Sequence, residues 1–216
     1  MTIAKILMVI AEVVLIAYLI GSIPTGYIIV KLFKGIDIRT VGSGSTGATN
    51  VKRVMGNVWF FVVMVLDALK GALAVWIAFK YFNIMGEVGE LIGLTPVIAG
   101  CIALLGHSRS IFLKFTGGKS VATAVGTLIA LCPPVGGLVI LVWAVITVLT
   151  RYVSLGSICA VASAPILMNL FHQGRFSIWY AAVGAIYVVL RHKDNIKRLF
   201  EGKEDKITWS SPKESK

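Results

Sequence analysis

The segment NVWFFVVMVLDALKGALAVWIAFKYF, residues 57–82, decides the fold class of this 216-residue chain. Only three of its side chains, Asp67, Lys70 and Lys80, are charged. At about 1.5 Å per residue, a helix of this length reaches about 39 Å, which is enough to cross a hydrocarbon layer of about 30 Å. The segment therefore predicts a transmembrane helix.

The chain as a whole is similarly apolar, since 57% of all residues are hydrophobic and only 14% are charged. Such a composition is typical of membrane proteins. Six further apolar runs lie at residues 4–32, 90–106, 119–131, 134–150, 153–171 and 177–192. We predict an all-α integral membrane bundle of about seven transmembrane helices, or of six if 119–131 is re-entrant. Residues 1–202 form one membrane domain in this prediction, and residues 203–216 form a polar cytoplasmic tail that frays.

The distribution of basic residues predicts the orientation. With the amino terminus outside, 17 of the 21 Lys and Arg residues fall on the cytoplasmic side, and the other four are Lys5, Lys70, Lys80 and Arg175. This asymmetry follows the positive-inside rule, so the carboxyl terminus is predicted to be cytoplasmic. The basic residues flank apolar runs, where anionic headgroups explain them, so the net charge of +11 does not indicate a nucleic-acid partner.

The three cysteines do not indicate a metal site or a disulfide. Cys101, Cys132 and Cys159 all lie inside apolar runs, with no CxxC pair and no histidine at ligand spacing. The chain also lacks a cluster of acidic residues at helical spacing in a span, which a metal-dependent lipid phosphotransferase would need. We therefore predict no metal and no cofactor.

The loop at residues 35–53, between the first two spans, combines glycines, hydroxyl groups and cations, a mixture that suits phosphate. Glycines such as Gly44 allow backbone N–H groups to turn toward an anion, and Arg53 supplies charge. Side-chain donors are offered by Ser43, Ser45, Thr49 and Asn50. The alternative interpretation is an ordinary interfacial loop. The GxGxxG match at 42–47 follows no strand, so it does not predict a dinucleotide fold.

A second polar segment, residues 106–123, contains the sequence Gly117-Gly118-Lys119-Ser120 just before an apolar run. Glycines before a helix whose first residues are Lys119 and Ser120 would offer free N–H groups and a cation at one point. A snorkelling lysine at a plain helix start is the alternative. His107, at the beginning of this segment, is more often a structural residue than a catalyst in such a position.

Two more polar segments, residues 151–157 and 191–198, complete the cytoplasmic face in this topology. If all four segments meet, they form a pocket rich in anion donors, which fits ligands that carry phosphate. Asp67 and Lys70, at i and i+3 within a span, favour a structural ion pair. A proton-coupled transporter of a small anion could use the same two residues, and this is the alternative function.

These residues resemble the bacterial acyl-phosphate:glycerol-3-phosphate acyltransferase family from Gly21 to Glu204. The family loops have the patterns GSGNxGATN, GHxxPxFxxFxGGKxVAT, RYxSLxS and RHxxNIxRLxxGxE, and all four recur here in order, the second more loosely. Two departures are visible. Ser45 replaces an asparagine, which weakens its assignment to substrate, and the proline expected near Ser110 is missing.

The resemblance implies a compact seven-helix bundle in the bacterial inner membrane with an active site toward the cytoplasm. It implies transfer of a fatty acyl group from acyl-phosphate to the 1-hydroxyl of sn-glycerol 3-phosphate, the first step of phospholipid synthesis, with no obligate protein partner. The catalytic residues would be Lys119, Arg53, His192 and Ser157. Contacts to substrate or phosphate would come from Ser43, Gly44, Ser45, Thr49, Asn50, Gly117, Gly118 and Asn195.

No HxxxxD dyad is present, because Phe112, Ser177 and Lys197 stand five residues after the three histidines. Two candidates for the proton acceptor therefore remain. Either an oxygen of the donor's own phosphate takes the hydroxyl proton, or His192 acts as the general base.

Overall fold

The computed structural model describes residues 3–85 and 94–208 of the chain. Within these ranges the regular secondary structure is helical, with no named strand. The α-helices are α1 Ile3–Ser22, α2 Thr25–Lys34, α3 Ala48–Met55, α4 Asn57–Met85, α5 Thr95–Ser108, α6 Val121–Leu131, α7 Pro133–Thr150, α8 Val153–Leu170, α9 Arg175–Arg191 and α10 Lys193–Phe200. Two short 3-10 turns lie at Ile38–Thr40 and Ile111–Leu113. The first residues of the predicted span 90–106 and the tail beyond residue 208 lie outside the described residues.

Four helical segments in the described ranges are long and apolar enough to cross a membrane. They are Ala4–Lys34, Asn57–Tyr81, Pro133–Thr150 and Val153–Leu170. Helices α5 and α6 are apolar but shorter. The 11 residues of α6 extend only about 16 Å, roughly half of the hydrocarbon thickness. The fold class is the predicted one, and the number of complete crossings remains a prediction.

The first apolar run is broken in the structure, where the sequence pattern predicted one continuous span over 4–32. Helix α1 ends at Ser22 and α2 begins at Thr25. The break falls at Pro24, which has no N–H group to donate and disfavours helical backbone in the residue before it. The carbonyl of Ile23, freed by this break, accepts a hydrogen bond of 2.7 Å from Lys70 Nζ of α4.

Helix α4 packs against α1, α3, α5 and α6, which gives it a central position. Its contact with α1 and α5 runs through buried alanines, including Ala17, Ala74, Ala78 and Ala103. Such small residues allow membrane helices to approach closely. Helix α6 packs against α4, and the first two polar segments identified in the sequence precede these helices. The segment at 35–53, predicted as a loop, contains helix α3 and leads into α4, and the segment at 106–123 leads into α6.

Candidate active site

A cavity of about 830 Å³ lies where α4 and α6 begin, and all four polar segments contribute to its wall. Nine of the twelve predicted site residues line it, namely Ser43, Ser45, Thr49, Asn50, Arg53, Lys119, Ser157, His192 and Asn195. Gly44, Gly117 and Gly118 are not among its lining residues. Most of the side chains that the sequence singled out therefore share one space, although they come from distant parts of the chain.

Asn50, in the first turn of α3, holds the preceding loop together through its side-chain amide. Its Oδ1 accepts the N–H of Ser43 at 3.1 Å. Its Nδ2 lies within 3.2 Å of the carbonyl oxygens of Ile38, Val41 and Ser45. Both ends of the amide are occupied and the residue is only 1% exposed, so the predicted substrate contact of Asn50 stays a prediction. Its contribution is the shape of the loop.

The neighbours of Asn50 remain more available. Ser43 and Thr49 face the cavity, whereas Ser45 Oγ accepts the N–H of Gly47 at 3.3 Å. Gly44 has a φ of 66°, a left-handed conformation that favours glycine, and its N–H donates to Val41 at 3.1 Å. Gly44 therefore turns the chain, and its N–H does not point freely toward an anion as the sequence suggested.

Lys119 is held at the cavity by a chain of polar contacts. Its Nζ donates to Oδ1 of Asn195, and Nδ2 of Asn195 donates to Glu204 Oε1 at 2.6 Å. The other carboxylate oxygen of Glu204 accepts Arg198 Nε at 2.7 Å. Both ends of the Asn195 amide are thus occupied, and its Oδ1 holds the Lys119 ammonium group in place, while the predicted substrate contact of Asn195 stays a prediction.

The protonation of Lys119 and His192 is set by burial. Both residues lie in turns outside the apolar helices. Burial lowers the pKa of Lys119 to about 8, with Arg198 and Arg53 acting in the same direction. Burial and the nearby Lys119 lower the pKa of His192 to about 4. Lys119 is thus a cation and His192 a neutral imidazole at pH 7.

His192 Nδ1 lies 2.8 Å from the carbonyl oxygen of Val188. In the neutral ring this places the proton on Nδ1 and leaves Nε2 as an acceptor. Ser157 also lines the cavity, but its hydroxyl donates to the Val153 carbonyl within its own helix at 2.8 Å. Its oxygen can accept a further hydrogen bond, whereas donation to a ligand would require its hydroxyl to rotate.

The turn before α6 differs from the prediction. Helix α6 begins at Val121, two residues later than expected, and Ser120 is its N-cap with a left-handed φ of 64°. The N–H of Gly118 is not free, since it donates to the His107 carbonyl at 3.2 Å. A Cβ atom at Gly117 would overlap that carbonyl oxygen, and one at Gly118 would overlap His107 Nε2. These two glycines let the turn pack onto His107. The predicted phosphate contact of their N–H groups stays a prediction.

The beginning of the tail lies across the cavity, where the sequence predicted fraying. Asp205 Oδ2 accepts a hydrogen bond from Arg53 NH2 at 2.8 Å, and Lys52 Nζ donates to the Thr208 carbonyl. The N–H of Ile207 donates to the Arg151 carbonyl at 2.7 Å, and the Ile207 side chain is buried. These contacts order residues 204–208, which we call the strap. They also pair Arg53 with the carboxylate of Asp205.

Apart from Asp67 and His107, the remainder of the cavity is lined mainly by apolar side chains. It runs along α4 from Phe60 to Ala72, along α6 to Ile129, and past Trp143 of α7. Val65 and Leu69, which line it, are 52% and 57% exposed. The cavity therefore joins a cationic, hydrogen-bonding end to a groove that suits a hydrocarbon chain and is open at the side.

Four residues at the cavity were not predicted as site residues, or were predicted to have only a structural role. They are Asp67, His107, Glu204 and Asp205. The Asp67–Lys70 pair is confirmed, with Lys70 Nζ 2.7 Å from Asp67 Oδ1 and both side chains buried. Glu204 ends the pattern RHxxNIxRLxxGxE, but that pattern gave it no role, and Asp205 carried no local signal. Only the fold brings the two carboxylates to the cavity that Lys119 and Arg53 also line.

Comparison with known proteins places this architecture among characterised relatives. The model of the family described as Glycerol-3-phosphate acyltransferase matches residues 11–202. A glycerol-3-phosphate acyltransferase from Nostoc sp. is 48% identical over 205 residues, covering 90% of each chain. Glycerol-3-phosphate acyltransferase 2 from Moorella thermoacetica is 42% identical over 194 residues, covering 89% of this chain and 94% of the relative.

Solved structures show the same likeness. The crystal structure of PlsY (YgiH), an integral membrane glycerol 3-phosphate acyltransferase, in its glycerol 3-phosphate form matches with a TM-score of 0.84 at 39% identity. The match covers 92% of this chain and 96% of that one. The lysophosphatidic acid form of the same protein matches with a TM-score of 0.82 at 38% identity, covering 93% and 96% of the two chains.

Proposed function

The chain belongs to the glycerol-3-phosphate acyltransferase family, and from that membership we propose that its acyl donor is an acyl-phosphate. The protein is an integral membrane enzyme that transfers an acyl group to glycerol 3-phosphate. This decides between the enzyme and the transporter interpretations in favour of the enzyme. The donor, the attacked hydroxyl and the roles of individual residues form the proposal.

The observation that carries the proposal is the two-part cavity. Its polar end presents Arg53 and Lys119 from separate segments of the chain, which suits two ligands that each bear a phosphate. Its apolar groove suits the hydrocarbon chain of the donor. An acyl-phosphate combines an anionic group, which would lie beside the cations, with a hydrocarbon tail, which would lie in the groove.

The reaction then depends on the alignment of the two substrates more than on the activation of either one. The 1-hydroxyl oxygen of glycerol 3-phosphate attacks the acyl carbon and forms the new ester bond. The bond between that carbon and the phosphate oxygen breaks, and the electron pair leaves with inorganic phosphate. Lys119 and Arg53 stabilise the anions and the oxyanion that develops at the carbonyl. The hydroxyl proton goes to a phosphate oxygen of the donor or to His192.

His192 suits either version of the proton transfer, because its ring is neutral and its Nε2 is free to accept. The substitution His192→Gln distinguishes them. If His192 is the general base, turnover falls by roughly 10²-fold or more. If the donor phosphate accepts the proton, the glutamine amide replaces the imidazole as a polar neighbour and turnover falls by less than tenfold.

The donor is tested with purified protein in lipid, offered glycerol 3-phosphate with either palmitoyl-phosphate or palmitoyl-CoA. We expect 1-acylglycerol 3-phosphate and one equivalent of phosphate from the acyl-phosphate alone, and a loss of product in Lys119→Ala. Product from palmitoyl-CoA only would refute the donor assignment while leaving the acyl transfer intact.

The proposal also includes the predicted placement, with the cavity facing the cytoplasm of a bacterial cell and the inner membrane as the site of the enzyme. The excess of basic residues on the strap side supports it. No obligate protein partner enters the scheme. A cysteine introduced at the exposed Lys193 of α10 should react with a membrane-impermeant maleimide in inverted vesicles and not in intact spheroplasts. The reverse pattern would place the cavity outside.

A further inference from the structure

A buried polar cluster lies beneath the turn that carries Lys119. Oδ1 of Asp67 accepts the hydroxyl of Thr25 at 2.5 Å and lies 2.7 Å from Lys70 Nζ. His107 Nδ1 lies 3.5 Å from the same oxygen. Asp67, Lys70 and His107 are 2%, 6% and 6% exposed. The cluster therefore joins α2, α4 and α5 at one carboxylate oxygen.

Charge balance does not require His107. Lys70 already neutralises Asp67, and the Thr25 hydroxyl adds a hydrogen bond. In the part of the chain that the structure describes, the buried Nδ1 of His107 has no hydrogen-bond partner, and its contact with Asp67 is longer than a hydrogen bond. The presence of a histidine at this position therefore needs another explanation, because it is costly to bury a polar nitrogen without a hydrogen-bond partner.

The opposite side of the imidazole supplies that explanation. Its Nε2 fills the space that a side chain at Gly118 would occupy, and the His107 carbonyl accepts the Gly118 N–H at 3.2 Å. The ring is thus wedged between the Asp67 carboxylate and the residue immediately before Lys119. Two residues after Gly118, the hydroxyl of Ser120 donates to the carbonyl of Leu104 at 2.7 Å. Lys119 therefore sits between two attachments of its turn to α5.

We propose that Asp67 and His107 are positioning residues for Lys119, the carboxylate fixing the imidazole and the imidazole setting the turn from which Lys119 reaches the substrate phosphate. This inference rests on the proposed role of Lys119. It gives the charged pair in α4 a part in catalysis that acts through Lys119. The coupling runs from Asp67 to His107 through a contact of 3.5 Å, and from His107 to the turn of Lys119 through packing against Gly118 and the hydrogen bond from the Gly118 N–H to the His107 carbonyl.

A double-mutant cycle tests the coupling. The variants are His107→Leu, Lys119→Ala and the two combined, assayed by incorporation of radiolabelled glycerol 3-phosphate. We expect His107→Leu to lower kcat about tenfold and Lys119→Ala to lower it roughly 10²-fold to 10³-fold. Because His107 acts through Lys119, the double variant should be no slower than Lys119→Ala within about threefold. Effects that multiply would show two independent roles and overturn the proposal.

Two further variants keep the test decisive if His107→Leu folds poorly. His107→Asn places an amide N–H near the position of Nδ1 and should retain more activity than His107→Leu. Asp67→Asn combined with Lys70→Met removes both charges together and should reproduce the loss of kcat seen in His107→Leu. If the asparagine variant is no better, or the charge-free variant keeps full activity, the proposal fails.

The matched control is Tyr180→Phe, which removes a buried hydroxyl contact with Thr127 of α6, away from the cavity. It should lower the melting temperature and leave kcat within twofold, whereas a loss equal to that of His107→Leu would point to general loosening of α6. A Lys119→Ala enzyme with full activity would instead refute the role of Lys119, and the positioning role with it. The failure of the proposed function is thus separable from failure of the coupling alone.

Discussion

Replacing Asp205 by asparagine should tighten substrate binding, although it removes a favourable contact from the structure. Asp205 pairs with Arg53 at 2.8 Å in the cavity mouth, so a substrate phosphate that uses Arg53 has to displace a carboxylate. Asparagine has nearly the same shape and no charge. The strap keeps its other attachments, the Ile207 to Arg151 hydrogen bond and the Lys52 to Thr208 contact, so the change acts locally.

The exposure of the pair sets the size of the effect. The side chains of Arg53 and Asp205 are 35% and 76% exposed, which makes this a surface ion pair. Such pairs contribute about 0.2 to 1 kcal/mol. At about 1.4 kcal/mol per factor of ten, the KM of the substrate whose phosphate binds Arg53 should fall by about 1.4-fold to 5-fold.

The assay is steady-state acyl transfer in lipid, with each substrate varied in turn at low and high salt. The advantage of Asp205→Asn should shrink as salt screens the pair, and it should vanish in an Arg53→Ala background. Glu201→Gln is the matched control, because Glu201, at the end of α10, is a nearby acid that pairs with Lys203 at 3.2 Å and does not line the cavity. A higher KM in Asp205→Asn would refute the reasoning, since it would mean that Asp205 orients Arg53 for the substrate.

Three other outcomes follow from the site. Because burial lowers the pKa of Lys119 to about 8 and the charged form exists below that pKa, kcat/KM should fall as pH rises through about 8. Lys119→Arg should move this fall in kcat/KM to above about pH 10, and a fall that stays in place would be due to another titrating group. Gly118→Ala should cost more than tenfold in activity because its Cβ would overlap His107, while Gly137→Ala, whose Cβ meets nothing within 4 Å, should have no effect. Asn195→Ala, measured by kcat at saturating substrate, should lower turnover about tenfold by releasing Lys119 from Asn195, and unchanged turnover would deny Asn195 that role.

Much of the fold could be predicted because a bilayer imposes strict rules on a sequence. Long runs with almost no charge have few alternatives to a helix, and the Asp67–Lys70 pair was predicted from the cost of charge inside a span. The break at Pro24 had a signal in the sequence, but a run of apolar residues on both sides concealed it. The late start of α6 had none, because the left-handed backbone of Ser120 depends on packing against α5.

The site was predictable at the level of residue types and less so at the level of roles. Asn50 and Asn195 were identified as polar groups near phosphate. In the structure the Asn50 amide contacts backbone atoms of the loop just before it, and the Asn195 amide contacts Glu204 and the distant Lys119. Gly117 and Gly118 stood out for the freedom of their N–H groups, but the packing of His107 against them explains why glycine is needed. Local patterns identify donors, whereas only the folded chain shows which donors already have acceptors.

The open side of the apolar groove determines where the product goes. Val65 and Leu69 are half exposed along α4, which in a membrane means contact with lipid tails. Drawing a palmitoyl tail of about 15 carbon groups into water would cost roughly 12 kcal/mol at about 0.8 kcal/mol per group. A product that slides sideways into the leaflet avoids this cost. The enzyme thereby takes its acceptor from water and delivers a new lipid directly into the membrane that it helps to build.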